Sequence, residues 1–177
     1  MSAVQHLLEL GHRRIAMLRG YECLVDDARY HGYVAALSGY GIAVDQGLIG
    51  RGNFHFAPSV RVVEEILASP HPPTAVFAAN DLGALAVIEA ARRIGVSVPA
   101  DLSVVGFDDS VYASVSSPQL TTVRQPFVQM GEVAYQLLTD QMEGRDPASV
   151  RVELAATLVI RDSTAPPRAA VGRSDLV

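Results

Sequence analysis

Thr74–Asp109 reads TAVFAANDLGALAVIEAARRIGVSVPADLSVVGFDD, and its organisation decides the fold. It opens on an unbroken apolar run, Thr74–Ala79. Asn80 or Asp81 then supplies a helix cap, and the apolar spacing continues helically to Ile94 before Gly95 ends it. VSVPAD turns the chain into a second apolar run, Leu102–Phe107, which stops at two adjacent carboxylates, Asp108 and Asp109. Neither run alternates apolar with polar. Strands of that kind are buried on both faces, which predicts parallel strands joined by a covering helix.

The same alternation extends in both directions. A helix is expected over Ala3–Leu10, ended by Gly11, then a strand over Ile15–Leu18. Asp26 and Asp27 mark the start of a helix running to about Tyr40. Leu48–Arg51 is a candidate strand, and Pro58 suits the first turn of a helix over Ser59–Ala68. Downstream come Leu120–Arg124 as strand or crossover, a helix over Phe127–Glu143 and a last strand over Val152–Arg161. The fold class is therefore α/β, a parallel sheet flanked by helices.

The 177 residues are 49% apolar and 19% charged, enough for a packed core. A net charge of −5 argues against unaided grip on a nucleic-acid backbone, which needs a clustered basic face. All 14 basic residues are Arg, so no mechanism here uses a Schiff-base or P-loop lysine. Cys23 stands alone, which fits a reducing, cytoplasmic setting and forms no intramolecular disulfide. The opening MSAVQHLLELGHRR lacks the layout of a secretory signal, and no apolar run reaches the roughly 18 residues of a membrane span. His6, His12, His31, His55 and His71 show no metal-ligand spacing; His6 and His12 are expected at a helix surface or end. No cofactor motif or nucleophile elbow occurs, and the expectation is a protein that is not an enzyme.

Open parallel sheets bind ligands at the carboxyl ends of their strands. Arg29, Phe54, Asn80 and Asp108 gather at that edge. An amide, a carboxylate, a guanidinium and a ring face suit a polyhydroxylated or heteroaromatic small molecule. Each also has an ordinary reading: Asn80 or Asp81 as a cap, Arg29 as a surface cation, Phe54 as core, Asp108 and Asp109 as loop acids. Two enzymatic readings of VVGFDD fail. A phosphoribosyltransferase-like site wants a glycine-bearing phosphate loop, and SVYASVSS follows instead. A phosphoacceptor site wants a lysine. Successive strand residues point to opposite faces, so Asp108 and Asp109 are expected to do different work: one ligand acceptor, one loop anchor.

HLLELGHRRIAMLRG, DDARYHGYVAAL, the Pro73–Asp109 run and SPQLTTVRQPFVQMGEVAYQLL together resemble the effector-binding domain of LacI/GalR-type transcriptional regulators, from about Ala3 to Thr164. The resemblance implies a periplasmic-binding-protein-like fold, a small-molecule effector such as a sugar, nucleoside or purine, and a homodimer. It implies that Arg29, Asn80 and Asp108 hold the ligand, that Phe54 stacks on it, and that Gln125 and Phe127 lie where some members also touch effector. Asp81 is expected to cap its helix. A soluble sugar-binding protein of a transport system shares the fold and is the alternative.

Nothing in the chain resembles the family's helix-turn-helix headpiece. The resemblance therefore implies residues 1–124 as the C-terminal lobe of the effector domain, 125–145 as crossover and a helix of the other lobe, and 146–162 as a returning strand. Residues 163–177, STAPPRAAVGRSDLV, are rich in small residues and Pro and are expected to be a flexible tail. Operator DNA would be met by a headpiece, not by these residues, and half of the effector cleft is expected here. On helix Phe127–Glu143, Phe127, Met130, Val133, Ala134, Leu137, Leu138 and Gln141/Met142 track one face that the resemblance places against the other lobe.

Overall fold

The computed structural model describes residues 2–145 and 151–168. In chain order the elements are α1 (Ser2–Glu9), β1 (Ile15–Arg19), α2 (Leu24–Gly39), β2 (Ile49–Arg51), α3 (Phe56–Leu67), β3 (Ala75–Ala78), α4 (Asp81–Arg93), β4 (Ser103–Asp108), α5 (Val111–Val115), β5 (Thr121–Arg124), α6 (Phe127–Met142) and β6 (Thr157–Val159). The sheet order is β2-β1-β3-β4-β5-β6. All pairs are parallel except β5–β6, which is antiparallel.

Strand residues divide by parity between two cores. Ile15, Met17, Ala75, Phe77 and Val105 face α1 and α2. Ala16, Leu18, Val76, Ala78 and Val104 face α3 and α4. Both parities are apolar because both faces are covered, and this is why the runs looked continuous. Burial of the larger of these side chains, each stabilising by about 1.5–3 kcal/mol, is the main term holding the layers together.

Three boundaries differ from expectation. α3 begins at Phe56, with His55 preceding it, so Pro58 lies inside the first turn. A proline is tolerated throughout that turn because the first amides have no intrahelical acceptor, and so it does not mark the first residue. The last strand is Thr157–Val159 because only Thr122–Arg124 of β5 is there to pair with it. The short helix α5 lies between Phe107 and Leu120, where the sequence pattern assigns no element; Ser110 precedes it without a side-chain cap bond.

The segment after β6 also departs from expectation. Ser163, where fraying was expected to begin, is fully buried. Its hydroxyl donates to the Val104 carbonyl at 2.6 Å and accepts from the Thr121 amide at 2.8 Å. His12 lies just past the end of α1, its amide donating to the Leu7 carbonyl, but it is 1% exposed rather than at a surface. Its Nε2 lies 2.9 Å from the Ala165 carbonyl and its Nδ1 2.9 Å from Thr74 Oγ1. Residues 146–150 and 169–177, part of the expected returning strand and tail, lie outside the described residues.

Candidate ligand site at the carboxyl edge

Strand order reverses between β1 and β3, since β2 lies on one side of β1 and β3 on the other. Such a switch point opens a crevice at the carboxyl ends of the strands. β1 ends at Arg19 and Gly20 follows; β3 is followed by Asn80; β4 ends at Asp108.

Asp108 is the centre of the polar cluster. Its Oδ1 accepts from Gln125 Nε2 at 2.6 Å and lies 3.9 Å from Arg29 Nη2. The Arg29 guanidinium stands 4.2 Å from the centroid of the Phe107 ring. A cation over a ring face is held electrostatically and keeps its edge free to donate. Burial pushes the Asp108 carboxyl above its ordinary range, opposed by the Gln125 hydrogen bond and the Arg29 charge. Burial likewise lowers Arg29, opposed by Asp108 and Asp26. A half-buried carboxylate and guanidinium, incompletely satisfied by each other, gain from a ligand that hydrogen-bonds to both.

Asp109 does different work, as expected. It accepts from Arg124 Nε at 2.5 Å and Arg161 Nη2 at 2.6 Å. Burial alone would raise its pKa, but the two arginine hydrogen bonds outweigh that and hold it below the usual range. The reason for the division differs from strand alternation. Asp108 and Asp109 both have positive φ, 122° and 57°, so the backbone leaves the extended conformation at the tip. A second strained pair, Asn53 and Phe54, lies after β2, with φ of 54° and 58°. Left-handed backbone at non-glycine residues is costly and concentrates at ligand sites.

Asn80 is the cap of α4: its Oδ1 accepts from the Gly83 amide at 2.9 Å. Its amide nitrogen makes no hydrogen bond among the described residues. Asp81, expected as a cap, is not one. It is buried and accepts from Ser110 N at 2.6 Å and Thr122 Oγ1 at 2.5 Å, tying the loop after β4 to β5.

Phe54 lies across Gly20 and meets Tyr21 edge-on, with ring centroids 5.0 Å apart. A Cβ on Gly20 would come within 2.0 Å of that ring, so the close approach requires glycine. A cavity of about 320 Å³ opens between α1, α2 and the sheet, and Arg29, Phe77, Phe107, Val123 and Gln125 line it. Phe107 and Gln125 also border a second cavity of about 310 Å³ beside Pro126, Met130 and Val152.

The structure thus joins Arg29, Asp108 and Gln125. Asn80 and Phe54 stand on the same sheet edge without lining either cavity. Phe127 is 55% exposed at the start of α6 and lines neither. Phe107 was not singled out from sequence. Alternation from the buried Val105 would have placed it on the α2 face. Among the described residues no group of three or more His, Cys, Asp or Glu could hold a metal, and no helix is long and apolar enough to cross a membrane.

Comparison with known proteins adds relatives to this geometry. Residues 4–164 match the periplasmic binding protein-like domain. The HTH-type transcriptional repressor CytR of Escherichia coli K12 is 41% identical over 163 residues, covering 92% of this chain and 48% of that protein. The transcriptional regulator CelR–cellobiose complex superposes with a TM-score of 0.87 at 39% identity, covering 91% of this chain and 50% of that one. The lac repressor dimer bound to operator and the anti-inducer ONPF gives 0.84 at 29% identity, covering 93% and 58%. The chain spans about half the length of the curated relatives it matches. By the domain match across nearly its whole length, the chain belongs to the periplasmic-binding-protein-like domain family, and its relatives are LacI-family transcriptional regulators.

Proposed function

We propose that this chain is the effector-sensing portion of a LacI-type transcriptional regulator, and that its effector is a sugar, nucleoside or purine. The observation that carries this reading is the Arg29–Asp108–Gln125 cluster, half-buried at the carboxyl edge beside an apolar cavity. Asp108 accepts ligand hydroxyls or ring N–H groups, Arg29 and Gln125 donate, and Phe54 offers a ring face. Asn80 contributes its amide nitrogen while its oxygen caps α4. Phe127 meets the ligand from the α6 side. The solved complex of CelR with cellobiose, a neutral polyol, supports a ligand of this kind.

The protein works as a homodimer, in keeping with the dimeric lac repressor structure. Effector binding shifts a two-state equilibrium, and DNA contacts are made by residues outside this chain. The shift is limited by the ligand's differential affinity for the two states.

The test is a thermal-shift screen of sugars, nucleosides and purines on the intact protein. A ligand at about 100 times its Kd stabilises by about 2.7 kcal/mol. Asp108→Ala is expected to abolish that shift while leaving the unliganded melt near its original temperature. An unchanged shift would make Asp108 a purely structural residue.

A further inference from the structure

The guanidiniums at the carboxyl edge already face carboxylates. Arg19, 10% exposed at its side chain, lies 2.7 Å from both Asp26 Oδ2 and Asp27 Oδ1. Arg51 Nη1 lies 3.5 Å from Asp26 Oδ2 and its Nη2 3.6 Å from Glu22 Oε1. Arg29 faces Asp108, and Arg124 and Arg161 both bind Asp109. Asp26 is fully buried, and its Oδ1 also accepts from the Gly20 amide at 2.8 Å. It therefore knots the ends of β1 and β2 to the first turn of α2, the helix that carries Arg29. Arg19 is fixed further by stacking over Tyr30, with its Cζ 4.3 Å from the ring centroid.

At Arg19 or Arg51 a phosphate or carboxylate would have to displace the resident Asp26, and at Arg29, whose edge is free, it would add negative charge beside Asp108. Both effects oppose an anion, and both are strong where the groups are buried. A neutral hydroxyl-bearing ligand meets neither penalty. We infer that the effector of this site is uncharged, and that Asp26 is the residue setting that preference by occupying Arg19 and Arg51. This inference rests on the effector reading above. Asp26 touches no ligand; it determines specificity through the two arginines.

The experiment titrates the intact protein with matched probes: adenosine against adenosine monophosphate, and glucose against glucose phosphate. The neutral member of a binding pair is expected to bind at least about tenfold more tightly. Asp26→Asn keeps an acceptor for the Gly20 amide but removes the charge. It is expected to narrow the gap by raising the anion's affinity, a change that a loss of structure would not produce. Glu22→Gln, at an exposed side chain, is expected to narrow it less and serves where the Asp26 variant does not fold. A phosphorylated probe binding as tightly as its neutral parent overturns the inference and leaves the effector reading standing. An unchanged gap in both variants overturns the role of Asp26. No binding by any sugar, nucleoside or purine overturns the effector reading together with this inference.

Discussion

His12 is held among neutral groups beneath the sheet. Its Nε2 donates to the Ala165 carbonyl, which leaves Nδ1 to accept from the Thr74 hydroxyl; Ser103 Oγ completes the set at 3.1 Å from Nε2. Burial pushes the imidazole below its ordinary 6.5, against the opposing Ala165 hydrogen bond, and nearby His6 pushes the same way. Burial also lowers His6, opposed by Glu9. A depressed folded pKa means that the unfolded chain binds more protons below 6.5. This stability is therefore complete above that pH and is lost as pH falls through and below it. Urea midpoints are expected to be lower at about pH 5.5 than at about pH 7.5, with a smaller difference in His12→Gln. An equal difference in the variant would assign the effect to other groups. The GHRR stretch gave no hint of this burial: a histidine one residue past Gly11 reads as a helix end, and its partners are 62, 91 and 153 residues away.

Among the elements, α6 stands apart. It has no buried residue, and Val128, Tyr135, Leu138 and Met142 are 77%, 72%, 60% and 87% exposed. Each apolar side chain left wet forgoes about 1.5–3 kcal/mol of burial. A helix without tertiary packing depends on its own weak propensity. In the 177-residue chain, α6 amides are therefore expected to exchange with deuterium well before those of α4, whose Ala84, Val87, Ala90 and Ala91 are fully buried. Equal protection would show that something covers α6. The apolar periodicity of α6 was legible in the sequence. Whether that face was covered was not, because amphipathic spacing specifies a face and not its partner.

At the scale of the molecule, a second apolar surface remains. Leu82 on α4 is 38% exposed, and Val111, Tyr112 and Val115 on the adjoining α5 are 69%, 57% and 71% exposed. The sheet and α3 cover the opposite side of α4, so the helix is core on one side and open on the other. Clustered apolar exposure of this kind marks an interface, and it is the surface expected to join the two copies of the proposed dimer. Tyr112→Glu with Val115→Glu is expected to convert a dimer to a monomer in light scattering without lowering the helix content. A dimer that survives both changes would move the interface elsewhere.

The sequence by itself determined the α/β class, the positions of most strands and helices, and the gathering of Arg29, Asn80 and Asp108 at one sheet edge. Those features follow from local periodicity, caps and the rule that parallel strands end on one side. The tertiary structure decided which of these groups meet: Asp108 with Gln125 and Arg29, Asp109 with Arg124 and Arg161, Asp81 with Thr122 rather than at a cap. It also decided that Ser163 and Ala165 close the amino-terminal edge of the sheet. The physical reason is common to all of them. Hydrogen bonds and ion pairs form between segments far apart in the chain, and they depend on register, backbone turn and burial, none of which a local pattern encodes.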